Sequence, residues 1–353
     1  FLCTALIPIF NQNLIKKSTQ CYNPLRMQRA LTALQPTNFL HIGNLFGAVL
    51  PMVEAQKDFQ TFLFVVDYHA ITLPQEGSKL NDAILFAVAA YIAAGADPEK
   101  TLIFQQSQVS QHTELAWILS CSAHMGELER MTQYKDKSKR QTESVSVGLL
   151  TYPILMATDI LLYDTNIVPV GEDQKQHVEL TRDLAERFNK RFGKTFVIPE
   201  PRIPEFGARI MGLDDPTKKM SKSAESPKNY ISILDEPDVI RKKVMSAVTD
   251  SGLTVRYDKS RPALANLLTI MSLLTKQSFK EIEADYAGKG YGDFKKGLAE
   301  VLINYLEPLQ TKIHELLEHP DKLREIVAKG SEKAKALAEK KMIEVRKKIG
   351  VTL

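Results

Sequence analysis

Three short apolar runs set the first constraint on this chain: RALTAL at 29–34, FLFVV at 62–66 and TLIFQQ at 101–106. Each is shorter than an ordinary helix, and FLFVV reads as a strand buried on both faces. Between them stand stretches of helical text. Ile42, Leu45, Phe46, Val49, Leu50 and Val53 recur at helical spacing, and 80–95 reads as a helix stopped by Gly95 and Pro98. Strand–helix–strand alternation argues for a parallel sheet with right-handed crossovers. The expected class is therefore α/β.

Beyond the third run, HTELAWILSCSAHMGELERM and YPILMATDILLY each support a helix, giving a helical insertion at about 108–163. NIVPV (166–170) returns to strand, GEDQ makes a sharp turn, and KQHVELTRDLAERFNKRF is strongly amphipathic. The text then changes. EPRIPEFGARIMGLDDPTKKMSKSAESPKN is rich in Pro, Gly, Ser and Lys and reads as a long loop. Past Tyr230 the patterns are helical, at 237–248, 262–275, 278–286, 293–317 and 320–348. The expected organisation is an α/β domain over 27–228, with its loop at 212–228, followed by an all-helical domain over 229–353. Residues 1–26 are set apart as an extension. Their apolar part is broken by Pro8 and too short to span a bilayer. The absence of acids and the Lys16-Lys17 pair permit an organelle-targeting remnant.

Composition narrows the function classes. An apolar fraction of 44% and a charged fraction of 25% are ordinary for a soluble globular protein. A net charge of +4 over 353 residues excludes a general polycation. The charge is uneven, however: no acid precedes Glu54, and lysines crowd 329–348. That basic end suits a phosphate backbone or simply a solvated helix face. Cys3, Cys21 and Cys121 form no close pair, so neither a disulfide framework nor a zinc site is indicated, and a reducing interior is expected.

Two motifs carry chemistry. His41-Ile42-Gly43-Asn44 falls where a strand, a turn and a helix N-terminus meet, a place that favours anions. His41 and Asn44 can each donate toward a phosphate oxygen, and Gly43 lets a flat ring pack on the backbone. The same residues could serve only as a helix cap, with Asn44 facing water. Lys219-Met220-Ser221-Lys222-Ser223 lies in the Pro/Ser loop, and two lysines with small hydroxyls between and after them suit a mobile clamp on a polyphosphate. A solvated basic loop is the plainer alternative. Asp159 stands in the apolar run ILMATDILLY and needs a donor, from a ligand or from a neighbouring helix. Tyr152, Met156 and Asp159 are spaced to share one face of a helix that Pro153 could begin.

Together these segments identify a resemblance. HIGN and KMSKS, some 180 residues apart, are similar to the two signatures of class I aminoacyl-tRNA synthetases. GLLTYPILMATDILLY, VPVGEDQKQHVELTRDLAERFNKRF and GARIMGLDDPTKKMSKS resemble the bacterial-type tryptophanyl-tRNA synthetase family, from about Gln28 to the C-terminus. The resemblance implies a Rossmann-like catalytic domain, an anticodon-binding helical domain, and ATP, tryptophan and tRNA as partners. Mg²⁺ would be carried by the phosphates, with no protein-bound metal. It also implies a homodimer, built partly through 108–150, with no membrane association and a cytoplasmic location; mitochondrion or plastid applies if 1–26 is a targeting remnant.

The resemblance assigns ATP to Gln35, Pro36, Thr37, Gly43, Asn44, Gly171, Glu172, Asp173, Ile210 and the run Lys219, Met220, Ser221, Lys222, Ser223. His41, Asn44, Lys219 and Lys222 would be catalytic. Tyr152, Met156, Asp159, His69 and Gln174 would line the tryptophan pocket, with Asp159 accepting the indole N–H. The first strand departs from the family pattern: Leu31 replaces an aromatic, and Ala33 and Asn38 replace glycines. A tyrosine-activating enzyme and a non-catalytic nucleotide- or RNA-binding paralogue are the alternatives.

Overall fold

The computed structural model describes residues 27–36, 39–72, 76–140, 145–203, 210–221, 224, 226–252 and 254–352. The 1–26 extension, Thr37, Asn38, Lys222 and Ser223 lie outside them. The three apolar runs form β1 (Arg29–Leu34), β2 (Gln60–Val65) and β3 (Thr101–Gln105), paired in parallel. β4 (Ile167–Pro169) and β5 (Glu200–Arg202) complete a parallel sheet of order β3-β2-β1-β4-β5. β5 corrects the sequence reading, which places 200–202 in a loop. Glu200 N–H donates to the Asn166 carbonyl at 2.8 Å, and Val170 N–H to that of Arg202 at 3.2 Å. Pro201 is tolerated there because the strand is at the sheet edge.

Side chains alternate across the sheet as a doubly covered sheet requires. Leu31, Phe62, Phe64 and Phe104 enter one core, and Ala30, Leu63, Val65 and Ile103 the other. The second core is covered by α1 (Ile42–Asn44), α2 (Leu50–Ala55) and, after the single turn α3 (Asp67–Ala70), by α4 (Gly77–Ala93). Between α1 and α2 the chain is π-helical at Leu45–Val49, and Leu50 N–H reaches the Leu45 carbonyl. The insertion at 108–163 comprises α5 (Gln111–Ser120), α6 (Met125–Glu129), α7 (Thr132–Arg140) and α8 (Val147–Leu161). α5 and α8 pack on the first core with α9 (Lys175–Phe192). Pro153 does not begin its helix. α8 starts at Val147, because Ser146 caps it by accepting the Leu149 N–H at 3.2 Å. Pro153 sits inside the helix, where its burial offsets the missing hydrogen bond.

The later helices fall close to their expected places: α10 (Pro237–Ser246), α11 (Pro262–Thr275), α12 (Phe279–Asp285) and α13 (Tyr291–Leu317). They share the second core with α2 and α4. α14 (Pro320–Ile349) then returns to the sheet and covers the open edge of β3. Gly330 permits this approach, since a Cβ there would stand 1.8 Å from the Ile103 carbonyl oxygen. Val327 lies in one core and Ala334, Ala338 and Met342 in the other. Part of the basic end is used in this docking. Lys341 is buried and pairs with Asp164 at 2.7 Å, and Arg346 pairs with Glu114 and Glu339, both at 2.6 Å. Lys333, Lys335, Lys340, Lys347 and Lys348 face solvent. None of the described helices is long and apolar enough to cross a membrane.

Candidate active site

A cleft of about 320 Å³ opens at the carboxyl ends of β1 and β4, where the strand order reverses. His41 caps the helix on one wall. Its Nδ1 accepts the Asn44 N–H at 3.2 Å, and Asn44 Oδ1 accepts the His41 N–H at 3.2 Å. The motif is thus a reciprocal capping box and also a cleft wall, because Gly43 and Asn44 line the opening. Asn44 does not simply face water. Burial, with a smaller contribution from Lys219, pushes the His41 pKa down to about 4. A neutral ring with Nδ1 accepting carries its proton on Nε2.

The second signature comes to the same wall. Met220 N–H donates to the Ile210 carbonyl at 2.9 Å and Gly212 N–H to that of Lys218 at 2.8 Å, closing a hairpin. A Cβ on Gly43 would lie 3.7 Å from that of Met220. The chain after the hairpin is stitched to HIGN: Ile42 N–H donates to the Ile231 carbonyl at 3.0 Å and Ile233 N–H to that of Leu40 at 2.9 Å. Asn229 Oδ1 accepts the Ser221 N–H at 3.0 Å, and the Asn266 amide on α11 exchanges two 2.9 Å bonds with the Met211 backbone. Across the opening, Lys219 Nζ lies 3.4 Å from Asp173 Oδ1. Burial works to raise the Asp173 carboxyl, but hydrogen bonds from Gln174 and Lys219 and the lysine charge outweigh it, so the group lies below the ordinary carboxylate range.

The far end is more enclosed. α8 presents Tyr152, Met156 and Asp159 to the cleft. Asp159 Oδ1 accepts from Gln106 Nε2 at 2.7 Å and from His112 Nδ1 at 2.6 Å; Oδ2 accepts from His69 Nε2 at 2.8 Å. Burial would raise this carboxyl, but the histidine donors prevail and hold it below its ordinary range. A carboxylate has about four acceptor positions. Three are filled, and one on Oδ2 remains. The Tyr152 hydroxyl and His177 Nε2 share a hydrogen bond of 2.9 Å, and burial pushes the Tyr152 phenol up to about 12.

The expected residues divide plainly. Gln35, Gly43, Asn44, His69, Tyr152, Met156, Asp159, Gly171, Asp173, Gln174 and Lys219 line one cleft. His41, Pro36, Ile210 and Met220 are buried behind its wall, Glu172 faces solvent, and Ser221 is held by Asn229. Leu31 and Ala33, the departures on β1, both line the opening. Gln106, His112, Asn229 and Asn266 were not anticipated. Asn266 stands among apolar neighbours, a signal that reveals no partner; Gln106 and His112 sit between polar residues and Asn229 follows Lys228, so nothing local marks them.

The fold and the cleft define a class: a Rossmann-like nucleotide-dependent ligase, with a turn signature and a lysine signature on one opening. The family described as tRNA synthetases class I (W and Y) matches residues 24–307. The chain belongs to this family. It is 52% identical over 327 residues to the tryptophan–tRNA ligase of Bacillus anthracis, covering 92% of this chain and 99% of that one. Among solved structures it is similar to tryptophanyl-tRNA synthetase from Mycoplasma pneumoniae, with a TM-score of 0.87 and 37% identity over 92% of this chain and 98% of that chain. It is also similar to the Campylobacter jejuni enzyme complexed with ADP and tryptophan, with a TM-score of 0.79 and 44% identity over 92% and 100% of the chains.

Proposed function

We propose that the protein is a tryptophan–tRNA ligase that uses ATP. A carboxylate oxygen of tryptophan attacks the α-phosphorus in line, the bond to pyrophosphate breaks, and tryptophanyl-adenylate forms. The terminal ribose hydroxyl of the tRNA then attacks the acyl carbon, and AMP leaves. The work of the chain is positioning and charge stabilisation. In this reading Gln35, Gly43, Asn44, Gly171 and Asp173 hold ATP, with His41 fixing the turn behind them. Lys219 and Lys222 stabilise charge developing on pyrophosphate. Asp159 accepts the indole N–H between Tyr152 and Met156, with His69 and Gln174 at the same end. Mg²⁺ travels with the phosphates.

The observation that carries the proposal is the meeting of the two signatures on one cleft whose enclosed end holds an ionised, buried carboxylate with one acceptor position left. Pyrophosphate exchange measured with each of the twenty amino acids tests it. Tryptophan should dominate; tyrosine turnover above that of tryptophan, or no exchange at all, would refute the assignment. Neither tyrosine activation nor a non-catalytic paralogue is favoured by the relatives.

The helices α10–α13 are assigned to the tRNA anticodon, with the solvent-facing lysines of α14 adding an electrostatic contribution that weakens with salt. A homodimer is supported by exposed apolar side chains on α5, α6 and α8, which pack together: Trp117 is 74%, Met125 60% and Val147 75% exposed. Exposed large apolar side chains on neighbouring helices suit a second copy of the chain. An exposed Cys121 thiol fits a reducing, cytoplasmic setting.

A further inference from the structure

Beneath Asp159 lies a layer that the proposed reaction does not use. His112 is fully buried, with Nδ1 2.6 Å from Asp159 Oδ1 and Nε2 2.8 Å from the Tyr163 hydroxyl. The imidazole packs against Phe64 and Phe104, and Tyr163 against Phe62 and Phe104. These contacts fix both rings away from water.

A neutral imidazole has one N–H and one lone pair. An ionised Asp159 requires the N–H at Nδ1. The lone pair is then at Nε2, and the Tyr163 O–H must donate to it. Burial, and secondarily the Asp159 charge, keep that phenol protonated by raising its pKa well above the ordinary value. With a neutral ring the chain Tyr163–His112–Asp159 runs in one direction; a protonated ring donates from both nitrogens, and in either state Asp159 is the acceptor at Nδ1. Gln106 cannot reverse its own contribution, because its Oε1 is engaged by the Tyr68 N–H at 3.2 Å.

We infer that His112 and Tyr163 are positioning residues for amino-acid selection: they hold Asp159 as an acceptor-only carboxylate with one Oδ2 position open to the cleft. The inference rests on the proposed contact between Asp159 and the indole N–H. A carboxyl that took a proton would offer an O–H to the cleft and oppose an incoming N–H, and one that turned would aim its open Oδ2 position away from the cleft. The two buried rings remove both freedoms without touching substrate.

The test compares tryptophan with 3-benzothienyl-L-alanine, in which sulfur replaces the indole N–H. The ratio of their kcat/KM values in pyrophosphate exchange reads recognition of that hydrogen. It is measured with the ATP KM in the intact enzyme and in Asp159→Ala, His112→Leu, His112→Asn and Tyr163→Phe. His112→Leu should lower the ratio about tenfold or more, because a site built to bond a polar group loses its orientation. Tyr163→Phe should lower it less. His112→Asn should recover much of it, since its amide N–H can take the place of Nδ1–H, and the ATP KM should stay unchanged throughout. A ratio lost in Asp159→Ala but kept in His112→Leu and Tyr163→Phe would overturn the inference and leave the Asp159 contact standing. A ratio kept in Asp159→Ala would remove the contact itself, and the inference with it. Equal losses in the Leu and Asn variants, with the ATP KM raised in parallel, would mean packing alone and also overturn it. Should His112→Leu not fold, Tyr163→Phe decides, since it removes a single oxygen: an unchanged ratio refutes the relay, and a lowered ratio with a normal ATP KM supports it.

Discussion

At the α8 end of the cleft, Asp159 is 3% exposed and accepts three hydrogen bonds of 2.6, 2.7 and 2.8 Å. At the hairpin end, Lys219 and Asp173 stand 3.4 Å apart with side chains 43% and 48% exposed. On the proposed function the two ends answer different demands. Choosing an amino acid is a difference between affinities, and a fixed, desolvated acceptor makes the wrong choice costly. Transferring a nucleotide requires charges that bind the transition state more strongly than the ground state. A weak pair at the surface is easily exchanged for a phosphate; a strong buried pair is not.

The sharpest way to break this contrast is Asp159→Ala. We expect the preference for tryptophan over phenylalanine to fall by about 10³ or more. Stability should fall by roughly 3 kcal/mol, because the donors of His69, His112 and Gln106 lose their acceptor. Exchange kinetics with both amino acids and urea unfolding measure the two effects. Unchanged selectivity would take Asp159 out of the pocket. The counterpart at the other end is Lys222→Ala, predicted from the KMSKS signature. The adenylation rate should drop by about 10²–10³ while tryptophan affinity stays within about twofold, as single-turnover kinetics and equilibrium binding can show. Equal loss in rate and affinity would show that the lysine acts on the ground state and is no clamp.

Legibility in the sequence follows the same division. HIGN could be read because its chemistry is local: His41 and Asn44 bond each other three residues apart. The helices past Tyr230 could be read because periodicity is local too. The support of Asp159 could not, since His112, Gln106 and His69 lie 47, 53 and 90 positions away. Only the fold, which brings α5, α3 and the turn after β3 to Asp159 on α8, joins them. β5 was hidden for a related reason. Glu200-Pro201-Arg202 has no strand pattern of its own and is defined by hydrogen bonds to the β4 segment. The length of α14 was visible in the text; its return to β3 depends on Gly330 meeting a backbone that no local pattern announces.

Acid sharpens the comparison on the HIGN wall. The folded-state pKa of His41 is lowered from 6.5 to about 4. Between those values the unfolded chain binds more protons than the folded one, so stability falls as pH falls through this window. The loss should approach about 3 kcal/mol by pH 4, as protonated Nδ1 can no longer accept the Asn44 N–H. His41→Asn keeps a capping side chain without a titrating ring. Its urea midpoint should change less over pH 6.5–4 than that of the wild-type protein. Parallel curves would mean that the buried cap does not govern the acid response.

The smallest expected effect is at the exposed pair, and there a near-zero result is the informative one. Lys219→Met and Asp173→Asn, singly and together, form a double-mutant cycle in urea unfolding. Their coupling should be below about 1 kcal/mol, because two partly solvated charges at this separation gain little over water and lose side-chain freedom. It should shrink further at high salt. The matching cycle at the buried end, His69→Ala with Asp159→Ala, should give a larger and less salt-sensitive coupling, since Asp159 is buried and the His69 side chain is only 13% exposed. If the surface pair proved as strongly coupled as the buried one, ATP would have to break a stable contact before Lys219 could reach a phosphate. The hairpin would then be a lock on the empty cleft, and the contrast between a fixed selecting end and an exchangeable reacting end would fail.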